Sequence, residues 1–264
     1  MKIKIHFECE LQLAAAAPTI LQLEAADIPG AQNIESSSLK IEPDVQTEEF
    51  LDIYKNPCRR LLMPAGDVRI EYNSVVELPD KRGAFIEPTE PDILHLPTDM
   101  LTYTLPSRYC QSDKLVKMAN DTFGSITPGF ARVQEICNWI NENITYQYGT
   151  SNSGTSAYET AAERVGVCRD FAHLAITFCR AMNIPARYVS GYCLGLQPPD
   201  LHAFFHAYID GRWVVFDATE RQPRPALIQI AAGRDAADCA WSTFYGNGST
   251  RSMQVDVTEI EEEE

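Results

Sequence analysis

Cys168 stands in the run Gly166-Val167-Cys168-Arg169-Asp170-Phe171-Ala172-His173-Leu174, where apolar residues begin to recur at helical spacing. His202, His206 and Asp217 follow it along the chain. A thiol, then histidine, then a carboxylate is the set that nucleophilic catalysis needs: the thiolate attacks, the imidazole carries the proton and the carboxylate orients the imidazole. A thiol at a helix N-terminus faces unpaired backbone N–H groups and the positive end of the helix dipole, which favour thiolate over thiol. The same N–H groups can hold a carbonyl oxygen as it becomes an oxyanion.

The histidines and the aspartate are gathered by a hairpin. Arg187 to Tyr192, Ala203 to Ile209 and Arg212 to Phe216 read as strands, and Asp210-Gly211 as the two-residue turn between the last two. That turn sets Phe204 opposite Asp217, and strand alternation puts His202, Phe204, His206 and Asp217 on one face. Both histidines become diagonal neighbours of Asp217, about 7 Å away at the backbone and within side-chain reach. The spacing does not choose which histidine is the base.

The elements that must hold these groups follow from the period of the apolar residues. Residues 1 to 107 alternate as strands, at Ile3, Ile5, Phe7, Cys9 and Leu11 and in short runs around Ile20, Leu39, Phe50 and Val75, with frequent prolines between them. An all-β, sandwich-like N-terminal domain is expected there. Helical spacing begins at Ser112 and is expected to restart at Thr127-Pro128, with a stripe of Phe130, Val133, Ile136, Cys137 and Ile140. Ser156-Ala157-Tyr158-Glu159 has the capping-box pattern of a third helix that Gly166 can end. The helix opening at Cys168 carries apolar residues round more than half of its circumference, so it is the central, buried one. The expected class is α+β: a helix-borne cysteine packed on an antiparallel sheet, spanning 108–250, between the β-rich domain and a C-terminal strand and acidic tail over 251–264.

Gly166 to Leu174, together with Ile184-Pro185-Ala186-Arg187-Tyr188-Val189-Ser190-Gly191-Tyr192 and Trp213-Val214-Val215-Phe216-Asp217-Ala218-Thr219, resembles the bacterial transglutaminase-like family. The resemblance covers roughly residues 130 to 245, and weakly the N-terminal domain such proteins often carry. It implies a papain-like or transglutaminase-like core with a Cys-His-Asp triad. The family's catalytic histidine opens a His-Ala-Trp-x-Glu-Val block, which falls on His202-Ala203-Phe204-Phe205-His206-Ala207. The resemblance therefore implies Cys168, His202 and Asp217 as nucleophile, base and orienter. Phe204, His206 and Ala218 depart from the family's tryptophan, glutamate and proline and bear on substrate preference. Gly233-Arg234-Asp235-Ala236-Ala237-Asp238 also resembles a segment of the same subgroup, without a role legible from sequence.

Other polar residues have plainer readings. His173, five positions after Cys168, sits about 140° round the helix and away from the thiol. Arg169 and Asp170 lie in the first helical turn, where aspartate suits the dipole whatever else it does. Tyr192 and Trp213 read as core aromatics. Tyr146 and Tyr148, in a Ser/Thr/Gly-rich stretch ahead of the cysteine, are candidate donors to the oxyanion, and His206 is the secondary candidate beside His202. A rival from another class takes His202, His206 and Asp217 as a two-histidine, one-carboxylate metal site, and another a catalytically silent binding module.

Composition narrows the field. The 264 residues are 45% hydrophobic and 22% charged, as in a globular protein, without an apolar run long enough to span a bilayer. A formal net charge of -15 argues against nucleic acid as partner, because phosphates would be repelled. Eight cysteines without CxxC pairs point to reduced thiols rather than a disulfide framework or zinc ribbon, and no signal segment is read at the N-terminus. The expectation is a cytoplasmic thiol enzyme needing no cofactor. Its partner is a peptide or protein substrate, its amide bond passed to water or, alternatively, to an amine.

Overall fold

A computed structural model describes residues 1–79, 89–220 and 224–260. The end of the acidic tail, residues 261–264, lies outside the described residues. The chain opens with strands β1 (Lys2–Leu13), β2 (Ala17–Leu21), β3 (Asn33–Glu42), β4 (Thr47–Leu51), β5 (Pro57–Met63) and β6 (Gly66–Glu77). Short 3-10 turns at Ile93–His95 and Thr98–Thr104 lead to helices α1 (Ser112–Phe123) and α2 (Phe130–Asn143). Then come β7 (Thr145–Tyr146), α3 (Ala157–Glu163), β8 (Val165–Gly166) and α4 (Cys168–Ala181). The chain continues through β9 (Ala186–Cys193), β10 (His202–Ile209), β11 (Arg212–Phe216), β12 (Leu227–Gly233), β13 (Ser242–Phe244) and β14 (Gly248–Ile260).

Two four-stranded antiparallel sheets, β14-β1-β6-β3 and β13-β2-β5-β4, make up the β-rich part. Every second residue of β1, from Ile3 to Leu13, is buried, which is the alternation expected of a strand with one face on a core. β5 is a strand that the sequence pattern does not announce. Arg59 and Arg60 interrupt its apolar alternation, and in the fold they are answered by Glu24 and Glu49 and by Glu48.

The other half is an antiparallel sheet, β11-β10-β9-β12, with α4 packed on β10 and β9 and against α1, α2 and α3. Mixed helices and antiparallel sheets give the α+β architecture expected. α4 is buried from Asp170 to Arg180, which fits its nearly continuous apolar circumference. Arg180, near its C-terminal end, is buried as well and donates to the carbonyls of Ala186, Leu105 and Arg234, tying three segments to the helix. Among the described residues no helix is long and apolar enough to cross a membrane.

Two helix boundaries differ from expectation. α2 starts at Phe130 behind Gly129, whose φ of 107° breaks the backbone directly after Thr127-Pro128. α3 has its capping box, Glu159 accepting the Ser156 N–H and hydroxyl, but it ends at Arg164 in the left-handed conformation rather than at Gly166. Gly166 instead pairs with Tyr146 in the short parallel β7–β8 ladder.

Candidate active site

Cys168 is the first residue of α4. The helix begins there because Asp170 folds back and its Oδ2 accepts the Val167 N–H at 2.9 Å, while the Asp170 and Phe171 N–H groups return to the Val167 carbonyl. Ser151 donates to Oδ1 of Asp170 at 2.9 Å, and Arg169 donates to the Asn152 carbonyl at 2.5 Å, so the loop ahead of α3 is bound to the same turn. Gly166 leaves room for this: a Cβ at that position would lie 2.7 Å from Asp170 Cβ. Arg169 and Asp170 thus do the structural work read for them.

Cys168 alone among the eight cysteines is not buried. Burial pushes the thiols of Cys9, Cys58, Cys110, Cys137, Cys179, Cys193 and Cys239 up. One thiol is left open to a reactant.

The β10–β11 hairpin carries the partners. Asp210 (φ 53°) and Gly211 (φ 71°) make the tight turn, and Phe205 pairs with Phe216, which is the register that sets Phe204 beside Asp217. His202 Nε2 meets Asp217 Oδ2 at 2.7 Å, with their side chains 1% and 6% exposed. Nδ1 of His202 is buried and makes no hydrogen bond among the described residues. With Nε2 committed to Asp217, Nδ1 is the imidazole nitrogen left for a second partner. Burial works against a charged imidazole, but the hydrogen bond to Asp217, the nearby Cys168 sulfur and the two negative charges outweigh it and raise His202 to about 9. Asp217 is buried too, and there the bonds from His202 and Thr219 win and hold its carboxyl below the usual range.

His206 goes elsewhere. Its Nδ1 takes the Arg187 guanidinium, at 3.1 Å from Nε and 3.0 Å from Nη2, and Phe204 sits between the two histidines, with ring centroids 6.3 Å from His202 and 5.8 Å from His206. The diagonal step that the register allows between His206 and Asp217 is therefore not taken, because the cross-strand neighbour Arg187 offers a closer donor. Of the two histidines, it is His202 that is bonded to the Asp217 carboxylate.

Tyr146 is brought to the thiol by its pairing with Gly166, reinforced by the Gln147 N–H on the Gly166 carbonyl at 2.9 Å. Burial, then the charges of Cys168 and Tyr148, push its phenol up. Tyr148 packs on it edge-on at 5.5 Å. The two rings are 40% and 53% exposed.

Residues 116–218 match the family described as the transglutaminase-like superfamily. A solved structure from Cytophaga hutchinsonii, described as a "Putative Cysteine Protease", is 39% identical, with a TM-score of 0.91, covering 100% of this chain and 92% of that one. The chain belongs to the transglutaminase-like superfamily. An uncharacterized protein of Mycobacterium leprae is 29% identical to this transglutaminase-like chain over 133 residues, 46% of the chain and 48% of the relative. Another, from Mycobacterium tuberculosis H37Rv, is 31% identical over 163 residues, 55% and 52% of the two. The chain spans about half the length of these curated relatives.

Metal ligation by His202, His206 and Asp217 does not fit this transglutaminase-like site. Among the described residues no three metal-ligating side chains converge, and a guanidinium occupies Nδ1 of His206. Two contributors escaped the sequence reading. Thr219 donates to Asp217 Oδ1 through its N–H at 2.9 Å and its hydroxyl at 2.7 Å, a turn signal present two residues after the aspartate. Arg224 donates from Nε to Asp217 Oδ2 at 3.2 Å, and nothing in the spacing of a loop arginine announces it. The Gly233 to Asp238 segment also acquires a place: Asp235 accepts the Tyr109 N–H at 2.8 Å and Ala236 donates to His173 Nε2 at 3.1 Å, bracing the back of α4.

Proposed function

We propose that this protein is a thiol-dependent acyl-transfer enzyme acting on peptide or glutamine-type amide bonds, with Cys168 as nucleophile, His202 as base and acid and Asp217 as orienter. The observation that carries the reading is the His202–Asp217 bond at 2.7 Å, which leaves the second imidazole nitrogen to the one thiol that is not buried. The Cys168 thiolate adds to the carbonyl carbon, and the C=O pair moves to oxygen, held by N–H groups of the first turn of α4 and by the Tyr146 hydroxyl. Collapse expels the amine, which takes its proton from His202 Nδ1 and leaves a thioester on Cys168. Water then adds, His202 Nδ1 takes one of its protons, and the sulfur departs as thiolate. The balance is amide plus water giving acid plus amine.

Hydrolysis is favoured over amine transfer because water competes at every turnover unless excluded, and the exposed Tyr146 and Tyr148 leave the thiol open to solvent. What the Cytophaga relative is described as supports the same choice. Eight unpaired cysteines support a reducing compartment, the cytoplasm, as the place of action. Iodoacetamide at neutral pH, with modified peptides mapped by mass, tests the nucleophile: Cys168 is expected to react far ahead of the other seven thiols, and equal reactivity overturns the reading. A peptide library scored by product mass separates hydrolysis, deamidation and crosslinking.

A further inference from the structure

Asp217 is bonded on both oxygens, and the two sides differ. Among the described residues Oδ1 accepts only from Thr219, which fixes the plane of the carboxylate. Oδ2 accepts from His202 at 2.7 Å and, on the same atom, from Arg224 at 3.2 Å. Arg224 is itself held, with Nη2 2.9 Å from Glu220 Oε1 and 3.4 Å from Thr219 Oγ1, and its side chain is 12% exposed, so it covers the carboxylate from outside. Two cations, the imidazolium and the guanidinium, share one oxygen.

We propose that Arg224 is a positioning residue that keeps Asp217 ionised and sets how much proton affinity the carboxylate lends to His202. The inference rests on the function proposed above. A carboxylate oxygen that already donates its lone-pair density to a guanidinium is a weaker acceptor for imidazolium, so Arg224 makes His202 a better acid toward a leaving amine. Glu220, half exposed, draws part of the guanidinium charge away and works in the opposite sense. Among the described residues the other ionisable groups near the pair are Cys168 on α4, Asp200 ahead of β10, Cys193 on β9 and Cys137 on α2. None of them bonds to Oδ2 of Asp217.

The test is a pH titration of the His202 imidazole by NMR in the full chain, with the resonance assigned by its loss in His202→Gln. Arg224→Met is expected to raise the midpoint by about one pH unit, Arg224→Lys to stay near the parent, and Glu220→Gln to lower it. Midpoints that stay together in all three variants overturn the proposal; should Arg224→Met not fold, opposite or absent displacement in Glu220→Gln decides alone. Iodoacetamide labelling of the unmodified protein separates the two levels. An unreactive Cys168 sinks the proposed function, whereas a reactive Cys168 with an unmoved titration sinks only the role of Arg224.

Discussion

His206 Nδ1 accepts the guanidinium of Arg187 at 3.0 and 3.1 Å, and this cross-strand pairing separates two histidines that the strand register makes equivalent. Arg187 lies over the Trp213 ring at 4.3 Å, and burial pulls it down to about 10. The imidazole of His206 is its acceptor, and a neutral one. The two histidines should therefore answer differently to removal. His202→Ala is expected to lower kcat/KM by about 100-fold to 10,000-fold with the fold retained, the usual range for a lost acid–base group. His206→Ala is expected to cost about 1–3 kcal/mol of stability by leaving Arg187 without its acceptor, with a smaller effect on turnover. Peptide cleavage assays and urea unfolding on both variants check this; the reverse pattern would move the base to His206.

The raised His202 sets a pH window. A histidine whose folded value, about 9, exceeds the ordinary 6.5 contributes stability that is fully present below 6.5 and is lost as pH rises through 9. In the proposed mechanism the same proton is the one delivered to the leaving amine, so kcat/KM is expected to fall on an alkaline limb near 9. Unfolding midpoints measured from pH 6 to 10 should decline in the unmodified protein and flatten in His202→Gln.

His173 predicts the opposite slope. It is fully buried between Tyr109 and Tyr188, accepts the Ala236 N–H on Nε2, and is pulled well below 6.5 by burial and by the charges of Arg169 and Arg180. The unfolded chain takes up this proton below 6.5 while the folded one does not, so stability is present above 6.5 and drains away as pH falls. His173→Leu should remove that acid-side slope while costing about 1–3 kcal/mol at pH 7 for the stranded Ala236 N–H. Urea unfolding between pH 5 and 7 reads both effects.

Gly166→Ala probes the helix mouth. The new Cβ would press on Asp170 Cβ at 2.7 Å, a backbone-proximal atom that cannot swing aside. A loss of about 1–3 kcal/mol is expected, typical of forced overpacking, together with slower alkylation of Cys168 because Asp170 anchors the turn that presents it. Normal stability and alkylation in this variant would remove Asp170 from that role.

Much of this site is legible in the chain because it depends on local rules. The start of α4 at Cys168 follows from apolar spacing, and the β10–β11 register follows from Asp210-Gly211, which fixes the two-residue turn. What is not legible depends on long side chains crossing between elements. Arg187 reaches His206 and Arg224 reaches Asp217 only once strands and loops are packed, and no periodicity encodes a destination for a guanidinium. Gly166 reads as a helix stop, a common use of glycine, but the space it leaves is for Asp170.

The pairing of β1 with β14, running from Lys2–Ile260 to Leu13–Gly248 with a register shift at Glu10/Leu11, orders events in time. A nascent chain holds the long apolar alternation of β1 with one edge open until residue 260 is made, more than two hundred residues later. Pairings so distant along the chain close slowly, and an open edge invites mispairing. The transglutaminase-like core, complete by β12, can therefore assemble on the ribosome ahead of the sheet that precedes it in sequence. Synthesis without residues 248–260 should yield aggregation at the N-terminal sheet rather than an inert catalytic half.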